Sequence, residues 1–292
     1  MRIFIICFLL QCIIALPFNA FTQYSNFSKE IKFANYLSER QMNIEAIYIL
    51  NNIDTSELSQ NQKDSLNYYY GQLFFNQKNL LKSASYYNKI SSNSLWYTKS
   101  KLYASYDYAF ENLPLNAIAT LDNITANPTD SLLTELIIFE KASNKLLVKD
   151  FKGYDSLRKN FTYKSYALTV PENKMDIYFK KEIKIKYKSP FVAGVLSAII
   201  PGLGKFYAGK KKQGVGSFLP IISMGILAAE SYNKGGIKSA NFIGFASLFS
   251  LFYVGNIWGS VVSVRVVNNE RNRFYTNEIL FNMQLPIRNL YR

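Results

Sequence analysis

Apolar and polar positions divide the chain into stretches that follow different periods. Residues 3–16 form an almost unbroken apolar run, relieved by Gln11 and broken by Pro17 and Asn19. From Ser25 to about Phe161, apolar and aromatic residues recur three and four apart with few Gly or Pro, which predicts amphipathic helices. Residues 162–188 change character. Pro171 ends the helical pattern, and Ile183, Ile185 and Tyr187 alternate with lysines, as in an extended ribbon. Three apolar runs come next, over 190–204, 214–229 and 240–264. After Val267 the chain is polar apart from an apolar stretch around 279–285, to which the pattern gives no role.

These stretches predict an all-α chain: a helical-repeat (α-solenoid) domain followed by a helical transmembrane bundle. The expected divisions are a signal peptide over 1–22, the repeats over 23–165, a basic linker over 166–189, a transmembrane helical domain over 190–264 and a polar tail over 265–292. Arg2 followed by about 14 apolar residues suits a signal-peptide core, because a full span needs about 20. Cleavage after Thr22 leaves Gln23 first; an uncleaved anchor is the alternative. Either one carries the repeat region out of the cytoplasm.

Within the repeats, a small residue stands at each expected helix crossing, with a large apolar residue nearby to fill the groove. Gly71 and Phe74 belong to one helix, and Ser83, Tyr87 and Ile90 to the next. Matching residues lie 34 positions on at Ser105, Tyr108, Ala117, Leu121 and Ile124, and 37 positions back at Ala34, Leu37, Ala46, Leu50 and Ile53. A fourth pair, over 130–161, carries Gly153 and Leu157. On Gly71, Phe74, Ser83 and Tyr87 this region resembles the tetratricopeptide repeat family, without its Trp near the first helix start or its regular closing Pro. The resemblance implies a concave surface that binds a protein segment. Tyr69, Tyr86, Tyr103 and Tyr106 are the expected partner-binding residues, since tyrosine offers area with a polar tip. The alternative is that these rings fill helix interfaces.

The most distinctive residues are Ser189, Pro190, Ala193, Gly194, Leu196 and Ser197, then Pro201, Gly202, Leu203, Gly204, Lys205, Phe206, Tyr207, Ala208, Gly209 and Gly214. They resemble the Gly-rich hairpin of the two-transmembrane-helix domain family, which implies a shared fold. Lys205 stands where that family often has an acidic residue or His followed by Arg, so no activity is carried over. Pro201, Gly202, Gly204, Phe206, Tyr207, Gly209 and Gly214 are read as the hairpin, with Lys210, Lys211 and Lys212 gripping headgroups. Residues 204–210 also fit Gly-x-x-x-x-Gly-Lys, but Lys211 replaces the Ser or Thr that reaches magnesium, and no strand precedes it. Gly255, Gly259 and Ser263 form a small-residue stripe that allows close helix packing within one chain, or a homo-oligomer through the membrane helices.

The formal charge of +14 is spread along the flanks of the apolar runs, which favours anionic lipid over nucleic acid as its partner. Histidine is absent, which excludes Ser-His-Asp and Cys-His chemistry and His-ligated metal. Cys7 and Cys12 both lie in the first apolar run. Glu135 and Glu140, five apart, read as surface charge. The residues call for no cofactor and no catalytic set. They predict a non-enzymatic scaffold or adaptor of the bacterial inner membrane, its repeats on the periplasmic side and its partners lipid and an unidentified protein. The competing role is an accessory subunit of a transport or assembly system, with Asn256 and Glu230 as the polar groups in its path. Three spans place the basic loop and the tail arginines inside; two spans plus a re-entrant first segment is the other topology.

Overall fold

A helix that must reverse within two residues needs one residue in the left-handed region, and this chain uses that device repeatedly. In the computed structural model, which describes residues 27–125 and 130–291, Gln41, Lys78, Asn112 and Lys149 have φ of 64°, 62°, 59° and 60°. They stand 37, 34 and 37 residues apart. After Gln41, Lys78 and Lys149 the next amide reaches back over the turn, Met42 to Leu37 at 3.0 Å, Asn79 to Phe74 at 2.9 Å and Asp150 to Lys145 at 2.9 Å. Each such turn is followed by a helix of eight or nine residues. The expected signal peptide over 1–22 lies outside the described residues.

The described residues form thirteen helices and no strand. The chain divides into two units between Glu111 and Asn112. The first holds α1 (Phe27–Glu39), α2 (Asn43–Asn51), α3 (Gln60–Asn76), α4 (Leu80–Asn88) and α5 (Tyr97–Phe110). Ser59 starts α3 with a reciprocal cap: its side chain accepts from the Gln62 amide while Gln62 Oε1 accepts from the Ser59 amide. Ile31, Ala34, Leu37, Ala46, Leu50, Leu73 and Phe74 make one core cluster; Tyr68, Ala84, Tyr87, Ile90 and Ala104 make the next. Gly71 is required between α3 and α4, because a Cβ there would lie 2.4 Å from the buried Tyr87 ring.

The second unit holds α6 (Pro114–Asp122), α7 (Ser131–Leu147), α8 (Phe151–Arg158), α9 (Thr169–Lys184), α10 (Pro190–Ile199), α11 (Leu203–Ala208), α12 (Lys211–Gly235) and α13 (Ala240–Leu290). Two expectations change here. The segment 166–189, read as a basic linker, is mostly α9. Met175, Tyr178, Phe179 and Glu182 recur at helical spacing and are buried. Pro171 sits in the first turn, where its missing N–H has no helical bond to lose. The helix ends at Lys184 and residues 185–189 lie outside it, with Ile185 (φ −77°, ψ 121°) and Ser189 (φ −82°, ψ 123°) in extended backbone. Likewise 265–290, within the stretch read as a polar tail, is the second half of α13. Its Tyr275, Ile279, Leu280, Met283 and Ile287 are buried, and it packs on α7 and α9. At 51 residues α13 is on the order of 75 Å long, so its two halves meet different surroundings.

Lys149 ties α13 to the α7–α8 turn by donating to Asn272 Oδ1 at 2.7 Å and Tyr187 Oη at 2.6 Å. The carboxylates read as surface charge are instead internal: Glu140 is fully buried and Glu135 nearly so. Glu135 accepts from the Thr162 amide at 3.2 Å, and Glu172 accepts from the Tyr163 amide at 2.9 Å. The two carboxyls lie together, so burial first and the Glu135 charge second push Glu172 up to about 8. Asp107, in the first unit, is raised by burial to about 8 as well.

Candidate functional site

The Gly-rich residues build a helical hairpin that dips and returns. Ser189 caps α10 by accepting from the Val192 amide at 3.4 Å, and ten residues, nearly all apolar or small, complete the helix. The chain reverses at Ile200, Pro201 and Gly202. Gly202 has φ of +84°, and a Cβ on it would lie 2.3 Å from the Gly214 carbonyl oxygen. The short α11 then returns against α10 so closely that a Cβ on Gly204 would lie 2.0 Å from the Ala193 carbonyl oxygen. Gly209, with φ of +91°, ends it, and the Lys210 amide reaches back to Lys205 O at 2.9 Å.

The two ends of this hairpin meet at Tyr207. Its hydroxyl accepts from the Ser189 amide at 3.1 Å, and its carbonyl accepts from Lys188 Nζ at 2.6 Å. Asn268 of α13 donates to the Lys188 carbonyl at 2.9 Å. The start of α10, the end of α11 and the middle of α13 therefore lie together.

The reversal exposes backbone groups that α10 and α11 cannot pair themselves, and α13 satisfies them. Asn256 Oδ1 accepts from the Gly202 amide at 3.0 Å, while its Nδ2 donates to the Ser197 carbonyl at 3.3 Å. Ser197 Oγ accepts from the Gly204 amide at 2.9 Å and pairs with Ser260 Oγ at 2.7 Å. Tyr253 donates its hydroxyl to the Ala198 carbonyl. Asn256, Ser197 and Ser260 are all buried. Asn256 thus has a structural role, and Glu230 pairs with Lys234 at 2.6 Å, so both polar groups considered for a transport path have local partners.

The buried positions in this half of α13 are Asn256, Ser260, Ser263 and Val264, so of the expected stripe Ser263 is buried while Gly255 and Gly259 are not. A Cβ on Gly255 would meet nothing within 4 Å; one on Gly259 would meet only the Lys205 side chain at 3.5 Å. Ser263 donates to the Gly259 carbonyl at 2.7 Å. The phosphate-loop reading also loses its geometry. Residues 203–208 are helical, and the Lys205 and Phe206 amides bond Gly202 O at 3.0 and 3.1 Å, so they do not cradle an anion.

Large apolar side chains cover the outside of this bundle: Phe191, Ile199, Leu219, Ile226, Leu251 and Trp258 are among the exposed ones. α12 and α13 are each long and apolar enough to cross a membrane, and only 17% and 11% of their most apolar windows is buried within the chain. The core helix of a soluble protein would be mostly buried.

In the first unit, the four expected tyrosines pack into helix interfaces. Tyr106 is buried. Tyr86 stacks on Tyr70 at 4.7 Å and Phe74 at 5.4 Å; Tyr103 meets Phe75 edge-on at 5.6 Å; Tyr69 is 6.4 Å from Trp96. Tyr69, Tyr86 and Tyr103 keep part of their surface in solvent. More fully exposed aromatics lie on α1 and α2, at Phe33, Tyr36 and Tyr48, which helical spacing alone did not single out. Compared with protein-family models, with curated proteins and with solved structures, the chain matches none.

Proposed function

We propose that this chain is a non-enzymatic, membrane-anchored scaffold of the bacterial envelope, whose helical hairpins hold a protein segment at the surface of the inner membrane. The observation that carries it is the apolar belt on α10, α12 and the first half of α13, continuous through one helix with a core built on α7 and α9. Lipid removes the cost of exposing that belt to water. The α10–α11 hairpin is then re-entrant. Its non-helical turn is tolerable at depth because Asn256, Ser197 and Tyr253 pair the freed backbone groups.

In this reading Lys188, Tyr207 and Asn268 mark one membrane face. Lys210, Lys211, Lys212, Arg265, Arg271 and Arg273 lie along it, with Lys234 and Lys238 at the other end of α12 and α13. The helical hairpins sit on the basic face, on the periplasmic side if the first apolar run acts as an export signal. A second orientation, basic face inward, is favoured by that distribution of charge. The tetratricopeptide likeness supports capture of an extended protein segment.

The test uses the full chain, because residues 275–287 complete the core of α7 and α9 and a fragment ending near 170 lacks them. The chain reconstituted in nanodiscs is expected to crosslink one defined protein from envelope extracts. That crosslink should weaken when Phe33 and Tyr36 are changed to Ser. A folded, reconstituted chain that crosslinks nothing reproducibly counts against the scaffold. Failure of the chain to float with liposomes counts against the anchor.

A further inference from the structure

A cleft of about 330 Å³ opens between α12 and the first half of α13. Glycines make it. A Cβ on Gly216 or on Gly255 would meet nothing within 4 Å, so their missing side chains leave open space on both walls. Pro220, Ile221, Leu251 and Phe252 give it an apolar lining, and Lys205 and Ser217 stand in it together. The Lys205 ammonium donates to Ser217 Oγ, whose own hydrogen goes to the Gln213 carbonyl at 2.9 Å, so Lys205 is the group left to meet an anion. An ammonium carries three donors, and no carboxylate among the described residues is within ion-pair distance of this one. Glu230, the one acidic residue between positions 190 and 264, pairs with Lys234 at the other end of α12. A cation set among apolar side chains without a counter-charge is costly unless an anion joins it.

Resting on the membrane reading above, we propose that this cleft binds one anionic phospholipid, its phosphate held by Lys205 and its acyl chain lying along Pro220, Ile221, Leu251 and Phe252. The depth is right for that occupant. Lys205 stands four residues before Gly209, so it lies on the order of 6 Å from the level of the Lys210, Lys211 and Lys212 triplet. A phosphate drawn in to Lys205 leaves its headgroup near those lysines, and the cleft then runs towards the bilayer interior between two apolar helices. Charge selects an anion, and the apolar lining selects one that carries a chain.

The experiment is lipid retention by the full chain in mild detergent, read by native mass spectrometry with phosphatidylglycerol and phosphatidylcholine in competition. One phosphatidylglycerol per chain is expected, preferred about five- to tenfold, the scale of one lysine–phosphate attraction near a membrane. Lys205→Met should remove the preference and Lys205→Arg should keep it. Gly255→Leu, which fills the cleft without meeting a neighbour at its Cβ, should reduce retention without touching the charge. Equal retention of the two lipids overturns the proposal, as does a preference unchanged in Lys205→Met. So does preferential retention of a fatty acid, or saturation by inorganic phosphate without lipid. Flotation with phosphatidylcholine vesicles, run on the same samples, separates the two claims. A wild-type chain that fails to float sinks the anchor itself, whereas one that floats without selectivity sinks only the lipid site.

Discussion

At the scale of single residues, what the glycines permit depends on which atom a Cβ would meet. At Gly204 the obstacle is the Ala193 backbone, which cannot move without parting α10 from α11. At Gly214 the nearest obstacle is the ring of Phe206, which is 39% exposed and has room to swing, with the Gly202 carbonyl oxygen behind it at 3.1 Å. At Gly255 there is none. Gly204→Ala should therefore lower the thermal midpoint of the detergent-solubilised chain sharply, through the roughly 1–3 kcal/mol typical of overpacking in a tight core. Gly255→Ala should leave it unchanged or raise it through helix propensity, by up to ~1 kcal/mol. Equal midpoints for the two variants would refute the tight crossing. The sequence showed that glycines cluster here but not which of them are in contact, since that depends on how the helices come together.

Buried carboxyls give the second prediction at this scale. Asp107 and Glu172 are both raised to about 8, chiefly by burial, so each binds a proton more tightly in the folded chain than in the unfolded one. Their stabilising contribution is complete below the ordinary carboxylate range, near pH 4, and is lost as pH rises through about 8. The unfolding midpoint should fall across that window, and the fall should be shallower in Asp107→Asn and Glu172→Gln. A midpoint in those variants that falls as steeply as the wild type's would contradict it. None of this was legible in the sequence: Glu135 and Glu140 lie five apart on α7 and pass for surface charge until α9 brings Glu172 against Glu135.

At the scale of elements, the helical hairpins were readable because small and large residues alternate at a fixed spacing, Gly71 against Tyr87 being the clearest case. Their turns were not, because Gln41, Lys78, Asn112 and Lys149 adopt a left-handed conformation that usually advertises itself as glycine. Exposed Gln41, at φ 64°, carries a Cβ in that region at a cost of about 1 kcal/mol. Gln41→Gly should stabilise the first unit by up to that amount in chemical denaturation, and a loss of stability would show that the turn depends on the Gln side chain. α9 did not read as a helix, and the apolar stretch around 279–285 of α13 stood out without a role, for a different reason. Their apolar positions are diluted by lysine and asparagine, and they form a face only when each meets α7. Met283, fully buried in that face, is the sharpest probe. Met283→Ala should cost ~2–5 kcal/mol, far more than a change in a free tail could.

At the scale of the whole molecule, two forces set orientation and they oppose one another. On the proposed membrane reading, a re-entrant α10–α11 hairpin would put Lys188, the lysine triplet and the α13 arginines on one face, and short basic flanks tend to stay in the cytoplasm. Against that stands the leading apolar run with Arg2 before it, which on the signal-peptide reading would send the chain to export, and long domains translocate largely regardless of their charge. On this ground the hairpins are expected outside and the α12–α13 turn inside. The check is labelling in spheroplasts with a membrane-impermeant maleimide, after Cys7 and Cys12 are changed to Ser. A cysteine at exposed Lys152 should react in intact spheroplasts, while one at exposed Lys238 should react only after lysis. The reverse pattern would turn the molecule over and show that the charge on its flanks outweighs the export run. Reaction at both positions without lysis would mean that α12 and α13 do not cross at all, and the apolar belt would need a protein rather than a lipid to cover it.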